Sequence, residues 1–221
     1  MPPRSSSPSR TATPPRPARR RSYDQYCAAA RALDAVGDRW TLLIVRELLA
    51  GPRRYTDLHA DLPGVSTDVL ASRLKDMERD GLAVRHRLPA PVSAYVYELT
   101  PRGHELLPVL TALAEWGVPE LTAPRPTDAV RAHWFALPLR RSLERAGWHG
   151  IVEVRLDEGE FHLRVGEAAG EPVYGEGAPP PGTAAARLEL DAGTCLEIGL
   201  GKLSVDDGVR EGRIRLKRFT A

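Results

Sequence analysis

The sequence contains few of the residues that characterise secreted, membrane-embedded or metal-dependent proteins. Its 221 residues include only two cysteines, Cys27 and Cys195, which are too few for a disulfide framework or a thiolate zinc site. No run of about 18 consecutive apolar residues is present, which excludes a membrane-spanning helix. Since no apolar segment follows the N-terminal arginines, we do not expect them to form a signal peptide. We therefore expect a cytoplasmic protein with reduced thiols and no contact with membranes.

Groups of catalytic or metal-binding side chains are also missing. The six histidines are scattered, without the close pairs that bind metals. The segment 72–75 (SRLK) matches a serine nucleophile motif, but its partner motifs are absent. Leu203 stands where a phosphate-binding loop requires Ser or Thr. The sequence therefore predicts no enzymatic activity, no metal site and no cofactor.

Positive charge is concentrated at the N-terminus. Residues 1–22 hold six arginines and no acid, whereas residues 23–121 carry 11 basic and 14 acidic residues, and residues 122–221 carry 14 and 15. The composition of residues 1–22 predicts a disordered basic tail, which is a solvated leader, the product of an upstream start codon, or an arm that touches DNA phosphates. Any basic footprint for DNA in the remaining chain must be local, formed by a few arginines.

Residues 23–118 show helical periodicity four times, then strand-like alternation, then a last helix. Asp38 and Ser66 have the side-chain oxygen that caps a helix N-terminus, and Thr100-Pro101 is typical of a helix start. Pro89-Ala90-Pro91 separates the two strand-like segments, which predicts an antiparallel pair joined by a stiff loop. The predicted helices begin near residues 23, 38, 55, 66 and 100, and the predicted strands lie near residues 82–84 and 95–99.

This order of helices and strands is that of a winged helix-turn-helix. Such a domain presents one helix to the major groove, while neighbouring elements contact the DNA backbone. In the fourth predicted helix, Leu70, Leu74 and Met77 form the buried face, and the small or polar residues opposite remain free for DNA. The predicted DNA contacts are Arg53, Arg54, Ser66, Thr67, Ser72, Arg73, Lys75, Arg85 and Arg87.

Several motifs between residues 24 and 118 occur together in a fixed order. They are the segments 38–48 (DRWTLLIVREL), 51–58 (GPRRYTDL), 70–75 (LASRLK), 80–82 (DGL) and 97–100 (YELT). In sequence and spacing this set resembles the HxlR family of bacterial transcriptional regulators. The resemblance implies a winged-helix fold, a homodimer formed through the first and last helices, and regulation of a neighbouring operon, often by repression. A symmetric dimer is expected to prefer an inverted-repeat operator.

Cys27 lies where the resemblance places a cysteine near the start of the first helix, although Ala28 stands where the family usually has proline. Two interpretations of Cys27 remain open. Some HxlR relatives imply a redox or electrophile sensor, which requires a lowered thiol pKa and access to solvent. Alternatively, Cys27 is a small core residue in a dimer interface.

Residues 127–221 follow a proline-rich linker at residues 119–126 and predict a small α+β domain with a mostly antiparallel sheet. We expect a helix over residues 127–147, a Gly/Pro loop over 175–183, a short helix over 192–199 and four strands near 151–156, 161–165, 186–190 and 214–219. The segments 201–208 and 212–216 resemble sterol-carrier-protein-like domains, which implies an apolar pocket. Trp134, Leu137 and Trp148 are the candidate lining residues, or else they belong to the core of the domain.

The leading hypothesis is therefore an α+β protein with a winged helix-turn-helix over residues 23–118 and a ligand-binding or dimerisation domain over residues 127–221. It binds double-stranded DNA as a homodimer, under the control of a hydrophobic ligand or of thiol oxidation. The alternative is a hydrophobic-ligand carrier or protein-interaction module whose winged helix does not bind DNA. The exposed face of residues 66–80 distinguishes them, because Thr67, Ala71, Ser72 and Lys75 permit DNA contact whereas Asp68 and Asp76 disfavour it.

Overall fold

The computed structural model describes residues 22–121, 125–166 and 171–219. Residues 22–37 belong to one compact unit, and residues 38–219 belong to a second. The predicted tail lies outside the described residues except for its last position. The elements up to residue 117 are α1 (Ala28–Val36), α2 (Thr41–Leu48), β1 (Arg53–Arg54), α3 (Tyr55–Ala60), α4 (Thr67–Arg79), β2 (Ala83–Arg87), β3 (Tyr95–Leu99), α5 (Pro101–His104) and α6 (Leu107–Gly117).

Two of the predicted helix caps are present in the second unit. The carboxylate of Asp38 accepts hydrogen bonds from the backbone N–H groups of Trp40 and Thr41, at 2.8 and 3.1 Å, where α2 begins. The hydroxyl of Ser66 accepts one from Val69 N–H at 3.3 Å, where α4 begins. Ser66 is the N-cap residue of α4, whereas Asp38 lies two residues before Trp40, the N-cap position of α2, and binds the turn that leads into that helix. Both oxygens satisfy N–H groups that have no partner within the helix.

The predicted strand pair is confirmed as part of a three-stranded antiparallel sheet in the order β1-β3-β2. The predicted last helix is divided into α5 and α6, with a turn at residues 105–106. Pro108 explains the interruption, because it has no N–H to donate to the carbonyl of His104 and its ring would clash with that carbonyl. The winged helix therefore has one short helix more than predicted.

The second half contains a five-stranded sheet in the order β6-β5-β4-β7-β8. Its three antiparallel pairs and the single parallel pair, β4 with β7, confirm the prediction of a mostly antiparallel sheet. Helices α7 and α8 contact each other beside this sheet. The elements are α7 (Ala136–Arg145), β4 (Gly150–Leu156), β5 (Gly159–Val165), β6 (Tyr174–Glu176), β7 (Ala184–Glu189), α8 (Ala192–Gly199), α9 (Val205–Arg210) and β8 (Arg215–Arg218).

Three sequence predictions for this half were wrong in detail. The helix expected over residues 127–147 begins with a 3-10 turn at residue 132 and becomes α-helical only at Ala136, since a turn at residues 125–128 and an extended Arg131 precede it. The expected loop over 175–183 starts inside β6, where Gly175 faces His162 so closely that a Cβ would lie 2.3 Å from the imidazole. No helix was predicted between residue 199 and the last strand, where Val205 begins α9.

The two halves of residues 38–219 share hydrogen bonds and ion pairs. The N–H of Val173 donates to the carbonyl of Leu49 at 2.9 Å, beside a close approach of Pro172 to Gly51. On α6, the carboxylate of Glu115 pairs with two arginines of α7. The predicted division at residues 119–126 stays a prediction.

Packing around Gly103 yields a stability prediction. A Cβ on Gly103 would lie 2.1 Å from the carbonyl oxygen of Leu82, whereas a Cβ on Gly117 would meet nothing within 4 Å. We expect Gly103→Ala to lower the free energy of unfolding by about 1–3 kcal/mol through overpacking. Gly117→Ala, the matched control in a helix, should be neutral or stabilising by up to about 1 kcal/mol. Urea denaturation of both variants measures the difference, and equal values would contradict the packing at Gly103.

Candidate nucleic-acid interface

Helix α4 has one buried and one exposed face, as a DNA-reading helix requires. Leu70, Leu74 and Met77 are at most 1% exposed. With 13 residues the helix is about 20 Å long, enough to lie across a major groove about 12 Å wide. Its exposed residues are Thr67, Asp68, Val69, Ser72, Lys75, Glu78 and Arg79.

The charged residues on α4 differ in how freely they can meet a phosphate. Lys75 is exposed and has no carboxylate partner within the described part of the chain, and Ser72 lies one turn before it. Arg73 is held by an ion pair with Asp76 at 2.7 Å, and its guanidinium lies 3.8 Å from the carboxylate of Asp38. A contact between Arg73 and DNA therefore requires these ion pairs to open.

The wing exposes two of the predicted arginines. Arg85 on β2 lies over the ring of Tyr95 on β3, with its guanidinium carbon 4.2 Å from the ring centre. Arg87 donates from Nε to the carbonyl of Ser93 at 3.3 Å across the wing loop. Since a guanidinium has five N–H donors, both arginines retain donors for a DNA phosphate while these contacts orient them.

The adjacent residues Arg53 and Arg54 have different environments. Arg54 is exposed at the end of β1. The guanidinium of Arg53 is only 13% exposed and is bound by Asp61 and, at 2.8 Å, by Glu176. Burial opposes its charge, but the carboxylates of Glu176 and Asp61 raise the pKa of Arg53 above its usual value. Arg53 is thus committed to protein contacts, and Arg54 is the arginine available at this position.

One of the three candidate pocket residues, Trp148, lines a cleft on the described part of the chain. Trp148, His149 and Arg218 border a cleft of about 220 Å³ at the end of α7, where the Arg218 guanidinium lies 4.7 Å from the Trp148 ring centre. Trp134 and Leu137 are not among the residues that line this cleft. Leu137 is a buried core residue, and Trp134 contacts α2.

A buried polar cluster around Glu47 was missed by the sequence analysis. Glu47 on α2 is fully buried, and its carboxylate accepts hydrogen bonds from His133 Nε2 at 2.8 Å, Trp134 Nε1 at 3.1 Å and Arg46 Nε at 2.7 Å. Burial raises the pKa of Glu47, but the bond from His133 and the charge of Arg46 outweigh this and lower it. The ionised carboxylate therefore stabilises the fold at neutral pH, and this stabilisation is lost as the pH falls through its lowered pKa.

The two cysteines have opposite environments. Cys27 is exposed at the N-cap of α1, where the nearby backbone N–H groups of Ala30 and Ala29 favour the thiolate and lower the pKa of the thiol. Cys195 is buried in α8, and burial raises the pKa of its thiol to about 12. Cys27 thus has the properties of a reactive thiol, whereas Cys195 does not.

Exposed apolar side chains occur on both terminal helices of the winged-helix segment. On α6, Val109, Leu113 and Trp116 recur at helical spacing and are 47, 46 and 79% exposed. On α1, which belongs to the other compact unit, Leu33 is 49% exposed. Large apolar groups arranged in this way mark surfaces that contact other proteins.

Across residues 22–121, 125–166 and 171–219, no group of three or more His, Cys, Asp or Glu side chains is placed to hold a metal ion. Within the same residues, no helix has both the length and the apolar composition needed to cross a bilayer.

Comparison with known proteins identifies the winged-helix part. Residues 35–123 match the family model described as HxlR-like helix-turn-helix. The HTH-type transcriptional regulator YvaP of Bacillus subtilis is 37% identical over 86 residues, which are 39% of this chain and 80% of that protein. The HTH-type transcriptional regulator YtfH of Escherichia coli is 34% identical over 106 residues, 47% of this chain and 84% of that protein.

The chain belongs to the HxlR-like helix-turn-helix family. Among solved structures, the reduced form of the transcriptional regulator YodB from B. subtilis is similar at 28% identity and a TM-score of 0.39, over 46% of this chain and all of that one. The HxlR-like match contains all nine predicted DNA-contact residues and ends before the second half begins. The resemblance of residues 127–221 to sterol-carrier-like domains therefore stays a prediction.

The thiol environments of this HxlR-like protein make a testable prediction. In the native state at neutral pH, a disulfide reagent such as DTNB should modify one thiol rapidly, because Cys27 is exposed and has a lowered pKa. Cys27→Ser should abolish the rapid phase, whereas Cys195→Ser should leave it intact and remove only the thiol that reacts after denaturation. A rapid phase that persists in Cys27→Ser would contradict the assignment.

Proposed function

We propose that this protein is a cytoplasmic transcriptional regulator, not an enzyme, that binds an inverted-repeat DNA operator as a homodimer and represses a neighbouring operon. The observation that carries this proposal is a family-matched winged helix whose reading helix, α4, exposes Thr67, Ser72 and Lys75 over a buried apolar face. Proteins of similar sequence are named HTH-type transcriptional regulators. The alternative of a hydrophobic-ligand carrier lacks a comparable observation.

The homodimer is supported by the apolar side chains of α6. A stripe formed by Val109, Leu113 and Trp116 leaves large apolar area in water unless another surface covers it. A second copy of the chain provides a self-complementary partner, because a two-fold axis brings the same surface patch of both subunits together. Such a dimer presents two copies of α4 to half-sites about 10–10.5 bp apart.

The predicted DNA contacts fall into two groups. Some side chains are free to reach DNA, and others are held in ion pairs within the protein. Lys75 on α4, Arg54 on β1 and the wing arginines Arg85 and Arg87 are exposed and able to reach phosphates. Ser66 and Thr67 lie at the N-terminus of α4, where free N–H groups attract phosphate oxygens. Arg73 reads a base only after it releases Asp76, and Arg53 supports the fold instead of binding DNA.

DNA binding is tested with duplexes selected from a random library by the wild-type full chain. The selected sequences should contain an inverted repeat, and affinity should fall steeply with salt, because phosphate contacts release counterions. Lys75→Ala should weaken binding and reduce the slope of log K against log[salt] by about 0.9 if it removes one phosphate contact. Lys202→Ala, which removes an exposed lysine of the second half, is the control. A flat salt response, or equal effects of the two substitutions, would argue against this interface.

Control by thiol oxidation is the form of regulation that the structure favours. Cys27 combines exposure with a lowered pKa, the two properties that a sensor thiol needs. A hydrophobic ligand has less support, since the cleft beside Trp148 is lined by neither Trp134 nor Leu137. We therefore propose that oxidation of Cys27 controls DNA binding, and the apolar ligand stays a prediction from the sequence alone.

The oxidation proposal predicts the behaviour of single cysteine variants. Treatment with diamide or a quinone should change the affinity of the wild type for its selected DNA by at least about tenfold, which corresponds to about 1.4 kcal/mol. Cys27→Ser should show no change, whereas Cys195→Ser should respond like the wild type because that thiol is buried. Gel-shift titrations before and after oxidation give the measurement. An equal response of wild type and Cys27→Ser would remove Cys27 from the mechanism.

A further inference from the structure

The second half of the chain binds the C-terminal end of helix α2. The last carbonyl groups of a helix have no partner within it and need donors from elsewhere. On α2, the hydroxyl of Tyr174 donates to the carbonyl of Arg46 at 2.6 Å, and the N–H of Val173 donates to that of Leu49 at 2.9 Å. Val173 directly precedes β6, and Tyr174 is its first residue. The end of α2 is therefore completed by residues more than 120 positions away in the sequence.

The same half also binds the end of α3 and the turn that connects α3 to α4. Arg131 donates from its guanidinium to the carbonyl of Ala60 at 3.3 Å, and its Nε lies 3.5 Å from the carboxylate of Asp61. Asp61 is bound in addition by Arg53, which also pairs with Glu176 of β6 at 2.8 Å. Because this turn sets the angle between α3 and α4, contacts at Asp61 bear directly on the orientation of α4.

The buried cluster joins these two attachment points. His133 donates or accepts at both ring nitrogens, with Nε2 at 2.8 Å from Glu47 and Nδ1 at 3.3 Å from Glu176. Its ring stacks on Tyr174 with centroids 5.8 Å apart. A continuous path of polar contacts thus runs from α2 through His133 to β6 and onward through Arg53 to the α3–α4 turn.

Polar contacts of this kind specify orientation more narrowly than apolar packing does. A hydrogen bond weakens steeply when its angle departs from linear, whereas apolar contact is non-directional. Glu47 and His133 are 0 and 5% exposed, so water cannot readily replace a contact that is lost. The junction therefore restricts how α2 and α3 lie against the second half.

We propose that the second half is a positioning element for the DNA reader. Arg131 and His133, with residues 173–176, hold the ends of α2 and α3, so that α4 has its DNA-binding orientation only while this half is docked. This inference rests on the proposed function, because it assigns the purpose of the contacts to DNA recognition. It also supplies a route by which a change in the second half alters affinity without any residue of that half touching DNA.

Hydrogen exchange on the free, full-length protein tests the junction without DNA. Arg131→Ala removes both contacts at the end of α3, and Arg125→Ala is the matched control, since Arg125 pairs only with Asp128 on the surface of the described chain. Amides of residues 61–70 should exchange at least about tenfold faster in Arg131→Ala and at the wild-type rate in Arg125→Ala. Equal exchange in the two variants would overturn the proposal.

DNA affinity then tests the consequence for recognition. Arg131→Ala should bind the selected DNA at least fivefold more weakly than Arg125→Ala, with similar affinity for a non-specific duplex. His133→Gln keeps an N–H donor for Glu47 and should remain within about threefold of the wild type, whereas a folded His133→Leu should lose at least tenfold. Circular dichroism establishes that each variant is folded, and the Arg131 pair decides the question if His133→Leu does not fold.

Two outcomes distinguish a failure of the positioning proposal from a failure of the proposed function. If folded His133→Leu and Arg131→Ala bind the selected DNA like the wild type, the junction only stabilises the fold and the positioning role is refuted. If the wild type selects no DNA at all, the proposed function is refuted, and the exchange rates still decide whether the junction orients α4.

Discussion

The burial of one carboxylate organises the second unit of this protein. Glu47 lies on a helix of the winged-helix part with no exposed surface, where an isolated charge would be strongly disfavoured. It is stable there because His133 and Trp134 of the second half and Arg46 of its own helix all donate to it. Removing one partner of such a buried ion pair typically costs about 3–5 kcal/mol. The two halves are therefore linked by a group that neither could bury alone.

The buried carboxylate of Glu47 and the junction around it determine the roles of the nearby arginines. Arg46 lies over the ring of Trp134, 4.4 Å from its centre, and Arg53 is enclosed by carboxylates from both halves. Arginine suits these positions because its planar group stays charged when buried and bonds several acceptors at once. Five arginines lie between residues 46 and 54 and in the first strand of the wing. Arg46 and Arg53 face the junction and stabilise the fold, whereas Arg54, Arg85 and Arg87 are exposed.

The reactivity of the two thiols also depends on their surroundings in the structure. Cys27 begins a helix, where backbone N–H groups stabilise a thiolate, whereas Cys195 lies buried in α8, where burial destabilises one. Under the proposed control by oxidation, Cys27 would react with the oxidant and the buried Cys195 would not. The reading face on α4, the exposed stripe on α6 and the thiol on α1 are three separate features, each with its own chemistry.

The sequence alone determined the winged helix, because its information is local. The caps at Asp38 and Ser66, the apolar period of α4 and the alternation of the wing strands each depend on neighbours within a few residues, and the family motifs repeat the same signals. Tertiary structure alone decided which charged residues are free. Glu47 and His133 are 86 residues apart, and nothing in the composition around either one predicts their contact. Local periodicity specifies which face of a helix is buried, but the partner of a buried charge depends on how distant segments pack, and that is why the junction between the halves could not be predicted from the sequence.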